Sequence, residues 1–184
     1  MSRLFLLRHG ITTGHGRYCG STDVALTQEG WQQMWAAVEG GHWDRIVTSP
    51  LRRCREFAAA LAERLSLPVC TDARLRELHF GEWEDLPVDE LMINKPEALQ
   101  LFWEDPGRHA PPGAEPLDEA CTRVLSYWHE ASAAVMGQRV LAVTHGGPMR
   151  ILRAELTALP RKRLLEIEVP YATLWDTGAF LAAS

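Results

Sequence analysis

The chain has 184 residues, of which 46% are apolar and 23% charged, an ordinary balance for a globular domain with a sizeable core. Its formal net charge of -5 argues against a protein that binds nucleic acid through a basic surface. No apolar run approaches the roughly 20 residues of a membrane span, and the N-terminal apolar run is too short for a signal peptide. We therefore expect one cytoplasmic domain over residues 1–184, with no nucleic-acid partner and no membrane partner.

The first 71 residues alternate short apolar runs with helical periodicity. Strands are predicted over 4–7, 45–48 and 67–71. One helix should follow Thr27 as its N-cap and end at Gly40-Gly41. A second should begin at Ser49-Pro50, with the serine as N-cap, and run to about residue 65. This order predicts an α/β fold with parallel strands.

The middle of the chain has a different character. Residues 85–116 hold six of the eleven prolines and two short helical stretches, near 88–93 and 97–104. We interpret this segment as a small cap insertion. Its apolar side chains need a surface on which to pack: Met92, Leu99, Phe102 and Trp103.

The last third returns to alternating elements. A helical stripe that ends at Gly137 is formed by Leu117, Cys121, Val124, Trp128, Ala131 and Val135. A strand over 140–144 and a helix over 148–156 follow, and closing strands are predicted over 164–169, 171–176 and 179–182. The expected fold class is a three-layer α/β sandwich, with a mostly parallel central sheet flanked by helices and the cap over about 85–116.

Polar residues of one kind follow three of these strands. They are Arg8-His9-Gly10, Ser49-Pro50 with Arg52-Arg53, and His145-Gly146-Gly147. The carboxyl ends of parallel strands meet at one edge of a sheet, where ligands bind. Arginines, helix N-termini and close-lying glycine backbone all suit a phosphoryl group. The pattern therefore predicts a phosphate site.

Two other interpretations of the histidines were weighed. His42, His109 and His129 are more simply hydrogen-bonded core histidines. A metal could use His9, His15, His79 and His145, but the arginines would repel a dication and no HxxxH or HExxH spacing occurs. We expect no metal and no cofactor. The four cysteines, Cys19, Cys54, Cys70 and Cys121, form no CxxC pair and are expected to be free thiols.

Phosphoryl transfer without a metal needs a protein nucleophile, and histidine can form the covalent intermediate. A leaving alkoxide also needs a proton donor. Three carboxyl groups compete for that role, namely Glu77, Glu82 and Glu84. The residues alone likewise leave open which of Arg52 and Arg53 contacts the phosphate.

Four motifs resemble the histidine phosphatase superfamily, the phosphoglycerate-mutase-like fold. They are LLRHG, TSPLRRCRE, LRELHFGEW and VTHGG, which occur in the family order and span nearly the whole chain. The resemblance implies that His9 is the nucleophile, and that Glu77 is the proton donor. It also implies that Arg8, Arg53 and His145 hold the phosphate. Further binding residues are expected at Thr12, His15, Gly20 and Gly146.

The chain departs from the family motif after the first histidine. Ile11 replaces the usual Glu, and His15 stands where the family has Asn. His15 either donates to a phosphate oxygen or is merely solvated.

The finer pattern is similar to α-ribazole phosphatases of cobalamin assembly. This implies hydrolysis of α-ribazole 5′-phosphate, a small-molecule phosphate ester, by a monomer or homodimer. Cap residues that either contact an aromatic base or form cap core are Met92, Phe102, Trp103 and His109. The alternatives are a phosphatase of broad specificity, a mutase-like enzyme on another small ester, and a domain that binds phosphorylated ligands without catalysis.

Overall fold

A computed structural model describes residues 3–134 and 137–181, and it shows one five-stranded sheet. The strands are β1 (Arg3–Arg8), β2 (Arg45–Thr48), β3 (Val69–Thr71), β4 (Arg139–Thr144) and β5 (Leu174–Asp176). Their spatial order is β3-β2-β4-β1-β5. The first four are parallel, and β5 pairs antiparallel with β1. The predicted mostly parallel sheet is confirmed.

Helices cover both faces of the sheet. The helices are α1 (Gln28–Ala37), α2 (Arg52–Leu65), α3 (Val88–Asn94), α4 (Pro96–Glu104), α5 (Leu117–Ala134), α6 (Gly146–Leu156) and α7 (Gly178–Leu181). Short 3-10 segments lie at Ala73–Leu75, Gly81–Trp83 and Arg161–Glu166. Thr27 caps α1 as predicted, because its side chain accepts a hydrogen bond from the Gly30 amide.

The apolar run of β1 is buried on both sides, since successive side chains of a strand point to opposite faces. Leu4 and Leu6 pack in a core with residues of α5 and α6. Phe5 and Leu7 pack in a second core with residues of α1 and α2. The three-layer arrangement that the sequence predicts is therefore present.

The cap predicted over 85–116 contains α3 and α4. Leu91, Leu99 and Phe102 of these helices are buried against Trp83. Tyr18 from the N-terminal loop packs against this cluster. The cap is thus held by its own small aromatic core.

The start of α2 differs from the prediction. The helix begins at Arg52 and Ser49 is not its N-cap. The Ser49 hydroxyl instead lies 2.7 Å from His145 Nε2 and accepts a hydrogen bond from the Leu51 amide at 3.3 Å. Asp23 accepts a hydrogen bond from the Arg52 amide at 2.7 Å, so the N-terminus of α2 is capped by a side chain from a distant loop.

Two of the predicted closing strands are wrong. In the region predicted over 164–169, residues 164–166 end a 3-10 helix and residues 167–169 are irregular; Leu164 and Ile167, three residues apart, are both buried in the core. Of the region predicted over 179–182, the described residues 179–181 lie in α7, whose first amide donates to Asp176 Oδ1 at 3.1 Å. The third predicted strand, over 171–176, is shortened to β5.

Two expectations fall partly on residues outside the described ranges, namely Val135 of the α5 stripe and Ala182 of the last predicted strand. Within the described ranges, no helix has the length and apolar character needed to cross a membrane.

Candidate functional site

His9 lies directly after β1, with its side chain 7% exposed. Its Nδ1 is 2.8 Å from the carbonyl oxygen of Gly10. Because a carbonyl only accepts, Nδ1 carries the proton, and in the neutral ring the lone pair is on Nε2. Burial and the positive charges of Arg53 and Arg8 lower the pKa of His9 to about 3. The ring is therefore uncharged at neutral pH, with a free lone pair on Nε2.

His145 follows β4, the neighbouring strand, and its ring centroid is 5.2 Å from that of His9. Arg53 Nε donates to His145 Nδ1 at 3.2 Å, so the ring proton is on Nε2 and is donated to Ser49. Burial and Arg53 hold the pKa of His145 well below its ordinary value. A phosphate contact from His145 Nε2 would replace its contact with Ser49.

Arg53 is 1% exposed and lies against His145, at the start of α2. Its guanidinium donates to the carbonyl oxygens of Thr22 at 2.8 Å, Cys19 at 2.9 Å and Gly20 at 2.8 Å. With the bond to His145, four of its five N–H groups are used, and one remains. No carboxylate of the described residues forms a salt bridge with it. An uncompensated buried cation of this kind favours a bound anion.

Arg8 ends β1 and faces the same region. One terminal nitrogen donates to the Val169 carbonyl, and its Nε is buried without a hydrogen-bond partner among the described residues. The Tyr171 ring lies against the guanidinium, 4.3 Å from its Cζ to the ring centroid. Tyr171 is also 5.8 Å from the His9 ring. The free Nε provides a second donor for an anion beside His9.

Of the three competing carboxyl groups, only Glu77 lies at this site. Glu77 Oε1 accepts hydrogen bonds from the amides of Leu78 and of Gly147, each at 3.0 Å. Gly147 belongs to the first turn of α6, directly after His145 and Gly146. Glu82 is exposed and lies 3.6 Å from Lys95 in the cap.

Glu84 has a structural role, because its carboxylate holds the loop of residues 19–22 through hydrogen bonds. It accepts hydrogen bonds from the amides of Gly20, Ser21 and Thr22 at 3.0 to 3.2 Å. Burial acts to raise the pKa of Glu84, but hydrogen bonds from Phe80, Thr22 and Ser21 outweigh it and lower the pKa. Arg53 binds the carbonyls of the loop and Glu84 binds its amides.

The remaining predicted binding residues are more dispersed. Gly146 begins α6 beside Arg8. Gly20 donates its amide hydrogen to Glu84, so that group is already used. Thr12 is buried and bridges to Leu26 within the N-terminal loop. His15 is exposed, and its Nδ1 lies 3.2 Å from the Tyr171 hydroxyl.

Two neighbours of the site, Arg150 and Tyr171, were missed by the sequence analysis. Ser49 lies at the strand end as predicted, but as a partner of His145 and not as a helix cap. Arg150 lies in α6 four residues after Gly146, a helical spacing that could have revealed it. No sequence pattern predicts Tyr171 at the site, because its position depends on a turn in which the Thr173 amide donates to the Pro170 carbonyl at 3.2 Å.

The prediction of core histidines is wrong for His42 and His129, because both are exposed; neither takes part in the site. His109 lines a separate cleft of the cap. Across residues 3–134 and 137–181, no three His, Cys, Asp or Glu side chains are grouped as a metal ion would require.

Comparison with known proteins matches residues 4–176 to the model of the histidine phosphatase superfamily, branch 1. The glucosyl-3-phosphoglycerate phosphatase of Mycolicibacterium vanbaalenii is 37% identical over 170 residues, covering 86% of this chain and 75% of the relative. The solved mycobacterial glucosyl-3-phosphoglycerate phosphatase is 33% identical with a TM-score of 0.83, covering 94% of this chain and 88% of that one.

The solved α-ribazole phosphatase from Shigella flexneri is also similar, with 26% identity and a TM-score of 0.80 over 94% of this chain and 88% of that one. The resemblance that the four motifs carry is thus confirmed at the level of the family. This chain belongs to the histidine phosphatase superfamily, branch 1, and is a phosphoric monoester hydrolase.

Proposed function

We propose that the chain hydrolyses phosphate monoesters without a metal, through a phosphohistidine intermediate on His9. One observation carries the proposal: the free Nε2 of a neutral, buried His9 lies beside the buried Arg53 and the half-buried Arg8, neither of which has a carboxylate partner among the described residues. The pair of cations binds the phosphate dianion and stabilises the charge of its equatorial oxygens as the bond to phosphorus forms.

The proposed reaction has two steps. In the first, His9 Nε2 attacks phosphorus, the P–O bond to the alcohol breaks, and Glu77 gives its proton to the leaving oxygen. In the second, Glu77 takes a proton from water, the water oxygen attacks phosphorus, and the P–N bond to His9 breaks. Inorganic phosphate leaves and both side chains return to their starting states.

The test is a rapid-quench experiment with an ester that carries a labelled phosphoryl group. Wild-type protein should accumulate label that is lost in acid and kept in alkali, as a phosphorus–nitrogen bond requires. His9→Ala should neither bind label covalently nor release phosphate. His129→Ala, which changes an exposed histidine of α5, is the matched control and should behave as wild type.

Two outcomes would contradict the proposal. Normal phosphate release by His9→Ala would exclude His9 as nucleophile. Tight phosphate binding by a wild type that releases no phosphate would instead support a non-catalytic binding domain. Label on Cys54 is not expected, because burial raises the pKa of that thiol and keeps it protonated.

For the substrate, the sequence resemblance favours α-ribazole 5′-phosphate, which would place the enzyme in cobalamin assembly in the cytoplasm. The relatives reported above favour a phosphoglycerate ester that carries a sugar. Both alcohols carry a ring, and Phe102 and Trp103 of the cap line a cleft that could receive it. Met92 and His109 do not line that cleft.

A panel of α-ribazole 5′-phosphate, 3-phosphoglycerate and an aryl phosphate tests the choice of substrate, since equal weak rates on all three would argue for broad specificity.

A further inference from the structure

Two consecutive peptide groups of the loop of residues 19–22 lie between Arg53 and Glu84. The first joins Cys19 to Gly20, and its oxygen accepts a hydrogen bond from Arg53 Nη2 at 2.9 Å. Its nitrogen donates to Glu84 Oε2 at 3.2 Å. The second joins Gly20 to Ser21, and its oxygen accepts from Arg53 at 2.8 Å. Its nitrogen donates to Glu84 Oε1 at 3.0 Å.

The dipole of each of these peptide groups is aligned with the charges at its two ends. The oxygen, which has the negative partial charge, faces the guanidinium, and the N–H group faces the carboxylate. Hydrogen bonds that share a peptide group in this way polarise one another, so that each strengthens the next. Arg53 and Glu84 are therefore an ion pair that is bridged by backbone.

The bridge leaves part of the Arg53 guanidinium available for an anion. A carboxylate in direct contact would occupy the guanidinium donors and would repel a phosphate dianion bound beside it. Glu84 instead holds Arg53 from the far side of the loop. One N–H group of Arg53 consequently has no partner among the residues that the structure describes.

Further contacts of Glu84 prevent the loop from shifting. Its carboxylate also accepts hydrogen bonds from the Thr22 amide at 3.1 Å, the Thr22 hydroxyl at 2.5 Å and the Phe80 amide at 2.9 Å. A Cβ atom placed on Gly20 would overlap the Leu78 carbonyl and the Glu84 carboxylate. The loop backbone thus lies directly against the segment that contains Glu84.

We propose that Glu84 is a positioning residue for phosphate binding. By holding the two peptide groups it sets the place of the Arg53 guanidinium. Through the hydrogen bond from Arg53 Nε it also sets the tautomer of His145. The expected effect on catalysis rests on the proposed function, in which Arg53 binds the phosphate. The expected effect on His145 is independent of that function and is present in the ligand-free protein.

Nitrogen-15 NMR of the ligand-free, histidine-labelled protein tests the link to His145. Wild-type protein should show His145 with a bare Nδ1 and a protonated Nε2. Glu84→Gln offers the loop one acceptor oxygen in place of two, and its NH₂ group faces donors. The loop and Arg53 should then shift, and the His145 signals should move towards a mixture of the two tautomers. Glu84→Asp, which keeps the carboxylate on a shorter side chain, should lie between the two proteins.

Kinetics with an aryl phosphate test the link to phosphate binding. In Glu84→Gln, KM and the inhibition constant of inorganic phosphate should rise together by about tenfold, because a charged hydrogen bond to the phosphate is weakened. A substitution that only destabilised the fold would reduce the amount of active protein. It would lower the apparent kcat and leave both constants unchanged.

Gly20→Ala is a second route to the same displacement, since the added Cβ moves the loop and removes no charge. It should change the His145 signals and the phosphate constant in the same direction, and it decides the matter if Glu84→Gln does not fold. Glu82→Gln, at an exposed carboxyl two residues before Glu84, is the matched control and should behave as wild type.

Wild-type His145 signals and a wild-type phosphate constant in Glu84→Gln and Gly20→Ala would overturn the positioning role. Failure of the proposed function has a different signature, because wild-type protein would then hydrolyse no ester. In that case the NMR comparison of the variants still decides whether Glu84 positions Arg53.

Discussion

Arg53 Nε donates a hydrogen bond to His145 Nδ1 across 3.2 Å, in a fully buried contact between the start of α2 and the end of β4. An arginine is always a donor, so this bond selects the tautomer of His145 in which Nε2 carries the proton. The same guanidinium holds three carbonyls of the loop of residues 19–22. One side chain therefore fixes a ring orientation, a tautomer and a loop.

Arg53→Lys should destabilise the protein and impair turnover. A lysine ammonium cannot reach the three carbonyls and His145 together, and each buried group left without a partner costs about 1–3 kcal/mol. We expect a loss of about 3 kcal/mol or more in the free energy of unfolding, with a large fall in kcat/KM. Urea titration and steady-state kinetics measure the two effects.

Arg52→Lys is the adjacent control for that substitution. Arg52 is partly exposed and pairs with Glu56 in the next turn at 3.0 Å. Its replacement should cost less than about 1 kcal/mol and leave turnover near wild type. Similar losses of stability and turnover in the two variants would contradict the role given to Arg53. The sequence alone did not show which of Arg52 and Arg53 has that role.

Glu77→Gln should reveal a proton donor through its dependence on the leaving group. Removing a general acid costs about 10²- to 10⁴-fold when the departing alkoxide needs a proton. We therefore expect that loss on an alkyl phosphate and a much smaller loss on a nitrophenyl phosphate, whose phenolate leaves unprotonated. Glu82→Gln, at an exposed carboxyl that lies 3.6 Å from Lys95 in the cap, should change neither rate. An equal loss of Glu77→Gln on both substrates would assign Glu77 to positioning instead.

The strand ends of the site were predictable from the sequence, and several of their neighbours were not. Apolar runs that stop at Arg8-His9 and His145-Gly146 mark buried parallel strands, and topology then brings their ends together. Asp23 caps α2 from a loop 29 residues earlier, a contact that no local pattern reveals. Tyr171 reaches Arg8 only because the chain turns before β5 begins. Short apolar segments such as 164–169 suit either a strand or a 3-10 turn, and here the contacts with the core decide.

Side-chain hydrogen bonds to the carbonyls of residues 164–169 also explain why this segment needs no neighbouring strand. Arg150 donates to the Ile167 carbonyl, and Arg8 donates to the Val169 carbonyl. These two side chains satisfy backbone groups that a neighbouring strand would otherwise pair. Arg8 could be recognised in the sequence as a ligand-binding candidate, whereas the hydrogen bonds of both arginines to these carbonyls depend on the folded structure.

Gly147→Ala should slow catalysis although the substitution neither adds nor removes an ionisable group. A Cβ atom at this position would overlap both the Glu77 carboxylate and the Leu78 side chain. Glu77 must then move away from the α6 amide that holds it, and a displacement of about 1 Å can cost roughly 100-fold in rate. We expect the fall in kcat on an alkyl phosphate to exceed the fall on an aryl phosphate. Gly107→Ala, whose added Cβ would lie 3.2 Å from a Leu117 methyl group, is the control and should keep both rates.

The neutral, buried His9 should make the fold sensitive to acid. The pKa of His9 is about 3 in the folded protein, against about 6.5 in an unfolded chain. Between these values the unfolded state binds a proton that the folded state does not, so the free energy of unfolding decreases as pH falls from about 6.5 towards 3. The slope from this residue is about 1.4 kcal/mol per pH unit, and the lowered pKa of His145 acts in the same direction.

Urea titrations at pH 6.5, 5.5 and 4.5 measure that slope. His9→Gln removes the titrating ring but keeps a polar side chain, so the dependence on pH should become shallower by about 1.4 kcal/mol per unit. His129→Gln, at an exposed histidine, should retain the wild-type slope. An unchanged slope in His9→Gln would mean that His9 takes up its proton in the folded state near the ordinary pKa. In that case the imidazole would be charged in mild acid, and Nε2 would there carry a proton in place of the lone pair that the hydrogen bond to Gly10 assigns to the neutral ring.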